Sequence, residues 1–420
     1  MANSTGSRAG SKPEDAVIAE DVPASYPIIR ESPFELPGVL EEYREQDGLA
    51  RVQTWNGREP WILCKHADVR KALSDPSFST NITAQGYPHN AATQVETEGA
   101  LFIRMDGAEH VRRRKTIVSA LTPRQSERHR PRITAIVDEI LDAMIERGGP
   151  VDLIENFALR ITTTVICEIL GVDHATVLRV VDAMESIFDL SAAPEDRIAA
   201  NHFVLDAIRE AARRKEASPD DSLLSRLVNV TVASGDLEFE EIVTIGRFVV
   251  GAGHETTANM LGLGTLALLR NPDQLEILMS DPETFAPSTV EELLRYLSIV
   301  QVEPSRIAVQ DVEVGGQMIR AGDGVVMSLM AANRDPRAFD HGQRSLDELD
   351  VTRPKTAHHV AFGYGPHQCV GQNLARVEMQ VAWCRLFQRL PGLRLAMEDE
   401  ELEFKKTGLN YGLTKLMVDW

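Results

Sequence analysis

One decapeptide limits this chain more than any other stretch: Phe362-Gly363-Tyr364-Gly365-Pro366-His367-Gln368-Cys369-Val370-Gly371. Three glycines in ten residues let the backbone turn tightly and approach a flat ligand closely. The run leads into a helical pattern from about Gly371 to Leu390. A cysteine at the mouth of a helix sits where free N–H groups and the helix dipole favour a thiolate, the form that binds iron. Amide hydrogen bonds to the sulfur would tune how strongly it donates. Read from the residues alone, a second possibility stands beside this one: a glycine-rich turn before a surface helix, carrying a buried, inert cysteine.

The next constraint lies in a long, mostly apolar helical pattern over 238–270, interrupted by Gly246, Gly251 and Gly253. In its middle stands Ala252-Gly253-His254-Glu255-Thr256-Thr257. A buried acid without a partner is expensive, threonines can bond back to the preceding turn, and Gly253 weakens the helix further. Local weakness combined with polarity and burial points to a site, though a Ser/Thr-rich kink would read the same way. A zinc-protease HExxH motif is excluded, because Ala258 stands where the second histidine must be. Glu292 and Arg295 are three apart, so both charges lie on one helix face. His110 and Arg114 are a turn apart and can reach one edge of a ligand. Arg112, Arg113 and Lys115 on the same helix form either a solvated face or a basic docking patch, which would speed association.

The remaining pattern is mainly helical. Asn56-Gly57 between Arg51–Trp55 and Pro60–Cys64 predicts a hairpin. Helices are predicted over His66–Leu73, 108–119, 131–147, 151–170, 174–190, 200–215, 221–234 and 288–297, and short strands at Val309–Val314, Gln317–Ile319 and Gly324–Met327. Residues 79–100 read as a long polar loop, functional or disordered. Residues 1–25 read as disordered and 26–420 as a single domain, with no internal repeat or linker.

The pattern FGxGxHxCxG resembles the heme-ligand loop of the cytochrome P450 family at every defined position, and Gln372–Arg376 also fits. The resemblance covers about residues 27–420 and, with segments such as AGHETTANM and GQNLAR, is to soluble actinobacterial members acting on natural products and foreign compounds. It implies a mainly α, single-domain cytochrome P450 fold with small β-sheets. It implies heme b (iron protoporphyrin IX) as cofactor, with Cys369 as the axial metal ligand. His367, His110, Arg114 and Arg306, the last just before the β-like segment, would hold the propionates. Phe362 and Gly363 would lie against the ring. Ala252 and Gly253 would form a groove for dioxygen, Thr256 would hydrogen-bond it, and Glu255 would pass protons from solvent. A helix distorted there would leave carbonyls free for water, and His254 would face away. Glu292 and Arg295 would form a structural ion pair, joined by Arg353. Gly251 departs from the bulky apolar residue usual in the family, and would widen the pocket.

The implied reaction is insertion of one oxygen atom from O2 into a small organic substrate, by hydroxylation or epoxidation. Electrons would come from NAD(P)H through ferredoxin reductase and ferredoxin. Ile82, Phe188, Phe248, Val249, Val302 and Leu409, beside Asn81, Arg247, Glu303 and Asn410, are the expected pocket residues. They suit a large, moderately polar polyketide, macrolide, sterol-like or xenobiotic compound. A non-catalytic heme-binding member, or a peroxide-driven peroxygenase, is the alternative. A net charge of −19 argues against nucleic-acid binding. Four scattered cysteines with no CxxC pair do not read as a disulfide framework. Without a run long enough to span a bilayer or a signal-like N-terminus, the expected setting is cytoplasmic, away from membranes.

Overall fold

Thr122, Asp173, Glu238 and Asp281 cap the N-termini of four long helices with their side chains, and glycines shape the helix contacts. In the computed structural model, described for residues 23–98, 101–189, 191–232, 235, 237–339 and 344–420, the chain order runs as follows. The first helices are α1 (Gly38–Glu45), α2 (His66–Ser74), α3 (Gln94–Glu98), α4 (Gly107–Val118) and α5 (Pro123–Arg147). Then come α6 (Leu159–Leu170), α7 (His174–Phe188), α8 (Pro194–Ala217), α9 (Leu223–Arg226) and α10 (Phe239–Arg270). The last are α11 (Pro272–Ser280), α12 (Pro282–Leu297), α13 (Leu329–Ala332) and α14 (Gln372–Arg389). Residues 1–22 of the segment expected to be disordered lie outside the described residues, as do residue 190 and the Phe188 side chain.

The strands are short: β1 (Ala24–Ser25), β2 (Ala50–Gln53), β3 (Trp61–Leu63), β4 (Phe78–Ser79), β5 (Val151–Asp152) and β6 (Ser305–Ala308). After them come β7 (Val312–Val314), β8 (Gln317–Ile319), β9 (Gly324–Met327), β10 (Arg394–Leu395) and β11 (Met417–Asp419). They make a six-stranded sheet in the order β1-β2-β3-β9-β6-β4, a three-stranded sheet β10-β11-β5 and a two-stranded ribbon β7-β8. The Asn56-Gly57 turn does join an antiparallel pair, with Ala50 opposite Ile62. Arg306 lies inside β6, paired with Val325 of β9, rather than ahead of the strands. The mainly α class with small sheets is what the sequence implied.

Several boundaries differ for physical reasons. α5 begins at Pro123, capped by the Thr122 hydroxyl accepting from Gln125 N at 3.3 Å, and runs through Pro131. α12 likewise begins at Pro282 and runs through Pro287. Both interior prolines face solvent, where the carbonyl freed by the missing N–H can be hydrated. The expected 151–170 helix is instead β5, a wide π-helical turn over Ile154–Ala158, and α6. The expected 221–234 helix is α9 followed by a π-helical stretch over Leu227–Val232.

α10 crosses the centre without a break, so its glycines are not interruptions. A Cβ on Gly246 would stand 2.6 Å from Ile208 of α8, one on Gly253 2.9 Å from Ile166 of α6, and one on Gly264 2.2 Å from the Trp383 ring of α14. Each glycine marks a close helix–helix approach. Trp383 is 1% exposed and donates its Nε1 hydrogen to Leu261 O at 3.3 Å.

Beneath α14 lies a buried charge network. Glu292 accepts from Arg295 Nε and Nη2, both at 2.8 Å, and from Arg353 Nε at 3.2 Å, and all three side chains are fully buried. Arg295 Nη1 donates to the carbonyls of Asn333 and Leu346. Asn333 Oδ1 in turn accepts from Val360 N at 2.7 Å, two residues before the Phe362 loop. Removing one partner strands the other charges in a dry interior. Glu292→Ala is expected to lower the unfolding free energy by about 3–5 kcal/mol, read from chemical denaturation followed by circular dichroism.

Candidate active site

A cavity of about 470 Å³ separates α10 from the loop ahead of α14. Ala252, Gly253 and Thr256 line one wall, and Phe362, Gly363 and Cys369 the other. The loop is shaped by Gly363 and Gly365, at φ +70° and +71°, a region that side chains disfavour. A Cβ on Gly365 would also meet Leu73 O at 2.8 Å. Gly363 N donates to Val360 O at 2.7 Å, and Cys369 N to Phe362 O at 2.8 Å. Arg376 lies over the Phe362 ring, 4.7 Å from its centroid, and pairs with Glu291 at 2.5 Å.

Cys369 is open to this cavity. Its depth in the molecule pushes the thiol above its ordinary pKa; the N–H groups of Gly371 and Gln372 and the Arg114 and Arg376 guanidiniums pull it back only in part. The sequence reading expected the helix mouth alone to favour a thiolate. Desolvation outweighs it here, and a metal ion, which deprotonates a coordinating thiol outright, would supply the difference.

Around the cavity rim stand donors without acceptors. His110 and His367 stack at 3.9 Å, and burial pushes His110 down to about 4 and also lowers His367. His110 Nε2 and His367 Nδ1 are buried with no hydrogen-bond partner. His367 Nε2 lies 3.8 Å from Asp106. Arg306 is 5% exposed and donates Nη1 only to its neighbour, Ser305 O, at 2.8 Å. Arg114 reaches the Gln368 carbonyl. Buried donors with no acceptor are costly, and two carboxylates would satisfy them. A flat macrocycle with two propionates therefore fits the residues present: an open thiol below, a glycine-lined slot, and orphaned donors at one edge.

On α10, Thr256 faces the cavity but donates its hydroxyl to Ala252 O at 2.8 Å. The helix is regular there, so the expected distortion with free carbonyls is absent. Gly253 serves the contact with Ile166 as well as lining the cavity. Glu255 pairs with Lys405 at 3.3 Å and is 21% exposed, on the way from solvent to α10. His254 does face away: it packs between Thr162 and Thr163, whose hydroxyls lie 3.3 and 3.1 Å from Nδ1, and burial pushes it down to about 4.

Of the expected pocket residues, Phe248, Val249, Val302, Leu409, Arg247, Glu303 and Asn410 line the cavity. Ile82 instead packs with Tyr87 and Ile307, and Asn81 closes a local turn onto Thr83. Glu98, Arg104 and Arg197 also line the cavity, and sequence reasoning passed over them. Each is a lone charge in an irregular or helical segment, and only tertiary contact brings them together. The basic cluster on α4 is not a free face: Arg112 and Arg113 both pair with Glu241 at the start of α10. Glu378 of α14 lines the same cavity, 4% exposed, with Oε2 unpartnered.

The sequence profile of the family described as cytochrome P450 matches residues 174–410. Cytochrome P450-SU2 of Streptomyces griseolus is 40% identical over 390 residues, 92% of this chain and 94% of that protein. Cytochrome P450 GfsF of Streptomyces halstedii is 39% identical over 407 residues, 96% of this chain and 97% of that protein. The crystal structure of the mycinamicin VIII C21 methyl hydroxylase of Micromonospora griseorubida, bound to mycinamicin VIII, superposes with a TM-score of 0.89. It is 35% identical, covering 94% of this chain and all of that one.

Burial alone raises the Glu378 carboxyl, to about 8. A raised pKa means the native state holds the proton more tightly than the unfolded chain. Its stabilising share is therefore complete below about 4.5 and lost as pH rises to about 8. Glu378→Gln is expected to flatten that part of the stability profile, so that thermal melts of variant and wild type diverge most at the alkaline end.

Proposed function

The chain belongs to the cytochrome P450 family of monooxygenases, and from that premise we propose that it inserts one atom of dioxygen into a large natural product of the polyketide or macrolide kind. NAD(P)H would supply electrons through ferredoxin reductase and ferredoxin. One arrangement carries the reading: an open cysteine thiol on one wall of a single cavity, an alcohol–acid pair on the helix opposite, and unpartnered histidine nitrogens beside two arginines at the rim. The bound mycinamicin VIII of the Micromonospora hydroxylase supports the substrate class.

Heme b, when bound, supplies the iron that activates dioxygen, and a thiolate ligand favours O–O cleavage. The chain's own residues do the rest. Cys369 Sγ would hold the iron as a thiolate, and the Gly371 and Gln372 N–H groups would limit its charge. His110, Arg114, Arg306 and His367 would hold the propionates in charge-assisted hydrogen bonds. Phe362 and Gly363 let the ring lie close to the loop. Thr256 Oγ, bonded at rest to Ala252 O, turns into the cavity to hold a proton there, and Glu255 passes protons inward from its partly exposed pair with Lys405. Phe248, Val249 and Leu409 keep the cavity apolar and exclude bulk water. No helix among the described residues is long and apolar enough to cross a membrane.

The test is the absorption spectrum of the reduced, carbon-monoxide-bound protein. Wild type is expected to give the strongly red-shifted Soret band of thiolate ligation, and Cys369→Ala to lose it; a histidine-type band in wild type overturns the assignment. Thr256→Ala is expected to keep that spectrum while product formation with a ferredoxin system falls by about 100-fold. Unimpaired turnover would remove Thr256 from proton handling.

A further inference from the structure

Two and a half helical turns along α10 from Thr256, the cavity wall carries a group for which the proposed reaction has no use. Arg247 is 2% exposed, lines the cavity, and donates Nε to Asn201 Oδ1 at 2.6 Å. Its Nη2 is buried and has no hydrogen-bond partner. The nearest acid, Glu98, is already engaged: its Oε2 accepts from Arg104 Nε at 3.0 Å and Gln94 Nε2 at 3.3 Å. Arg197, 6% exposed, donates Nε to Ile187 O and also feels the Glu98 charge. Asp189 offsets Arg197 in part, but it accepts from Ser191 N and Oγ. Three guanidiniums therefore converge where Glu98 is the one carboxylate lining this end of the cavity among the described residues.

A buried cation with an unmade hydrogen bond is expensive. An oxyanion arriving with a ligand would remove that penalty through a charge-assisted bond. Gly251 stands one turn beyond Arg247 on the same helix face and also lines the cavity. Apolar side chains also line the cavity, Ile166, Met184 and Phe248 among them.

We propose that Arg247 anchors a carboxylate or similar oxyanion of the substrate, with the apolar body of the substrate running along α10 toward Thr256. The anchor sets where oxidation falls. Nine residues of helix separate Arg247 from Thr256, about 13 Å along the axis, so the oxidised carbon lies on the order of 10 Å from the anionic group. This inference rests on the monooxygenase reading, since that reading makes the cavity a substrate site.

The test is calorimetric titration of the heme-loaded protein with two probes, dodecanoate and methyl dodecanoate, which differ in charge and little else. Wild type is expected to bind the acid about tenfold or more tighter than the ester, the worth of one charged hydrogen bond. Arg247→Gln is expected to lose that preference by weakening the acid alone, and Arg247→Lys to keep part of it. Equal affinities in wild type, no binding of the acid, or a preference that survives in Arg247→Gln would each overturn the proposal. If Arg247→Gln does not hold heme, the acid-to-ester ratio of Arg247→Lys against wild type decides, an unchanged ratio counting against it. The carbon-monoxide spectrum of the same wild-type sample keeps the two readings apart. A thiolate band without acid preference removes the anchor alone; acid preference without a thiolate band removes the monooxygenase reading alone.

Discussion

The site depends on one buried carboxylate shared by two guanidiniums. Glu292 and Arg295 stand three apart on α12, and Arg353 comes from the irregular segment far along the chain. One negative charge cannot neutralise two positive ones, so backbone carbonyls take up the remainder. Asn333 and Leu346 accept from Arg295, and Arg344, Ser345 and Glu348 accept from Arg353. Those carbonyls belong to segments without regular secondary structure of their own. The network therefore gives a coil its shape. Asn333 then passes that order to Val360 through its side-chain oxygen, and Val360 leads into the loop that presents Cys369.

A second theme is the sign of charge. The chain as a whole carries −19, yet among the described residues its central cavity is lined by five arginines against three carboxyl groups, Glu98, Glu303 and Glu378. At the loop edge stand Arg114, Arg306 and His367; at the far end stand Arg104, Arg197 and Arg247. Burial lowers the pKa of Arg306, to about 10, and that of Arg247 as well, the mark of cations held without full compensation. By contrast, the arginines most conspicuous in the sequence, Arg112 and Arg113, join α4 to the start of α10 through Glu241. Position in the fold, not local density of basic residues, decides which arginines are left for a ligand.

Much of the helical scaffold was legible in the chain, because long apolar periodicities bury one face wherever they are. The ends were less so. The starts expected at 131 and 288 turned out to be interior, and Pro131 and Pro287 are tolerated there because both face water. Gly246 and Gly253 looked like interruptions of α10 and turned out to be contacts with Ile208 and Ile166. The wide turns at Ile154–Ala158 and Leu227–Val232 have no signature that periodicity alone could reveal. In the site, motif residues with fixed spacing came together as expected, including Arg353 beside Glu292. Thr256 bonds back to Ala252 instead of leaving a free carbonyl, a choice made by a single rotatable hydroxyl.

The sequence by itself determined the loop that bears Cys369, because glycine adopts φ near +70° at Gly363 and Gly365 without the strain a side chain would bring, and it determined that an alcohol and an acid sit together on a long buried helix. Those are local facts, written in neighbouring residues. What only the tertiary structure decided is which side chains share the cavity's far end. Glu98, Arg104, Arg197 and Arg247 come from four segments, and neither spacing nor composition relates them. Their pairing depends on how α3, α8 and α10 pack, and so does the nitrogen of Arg247 that is left without a partner.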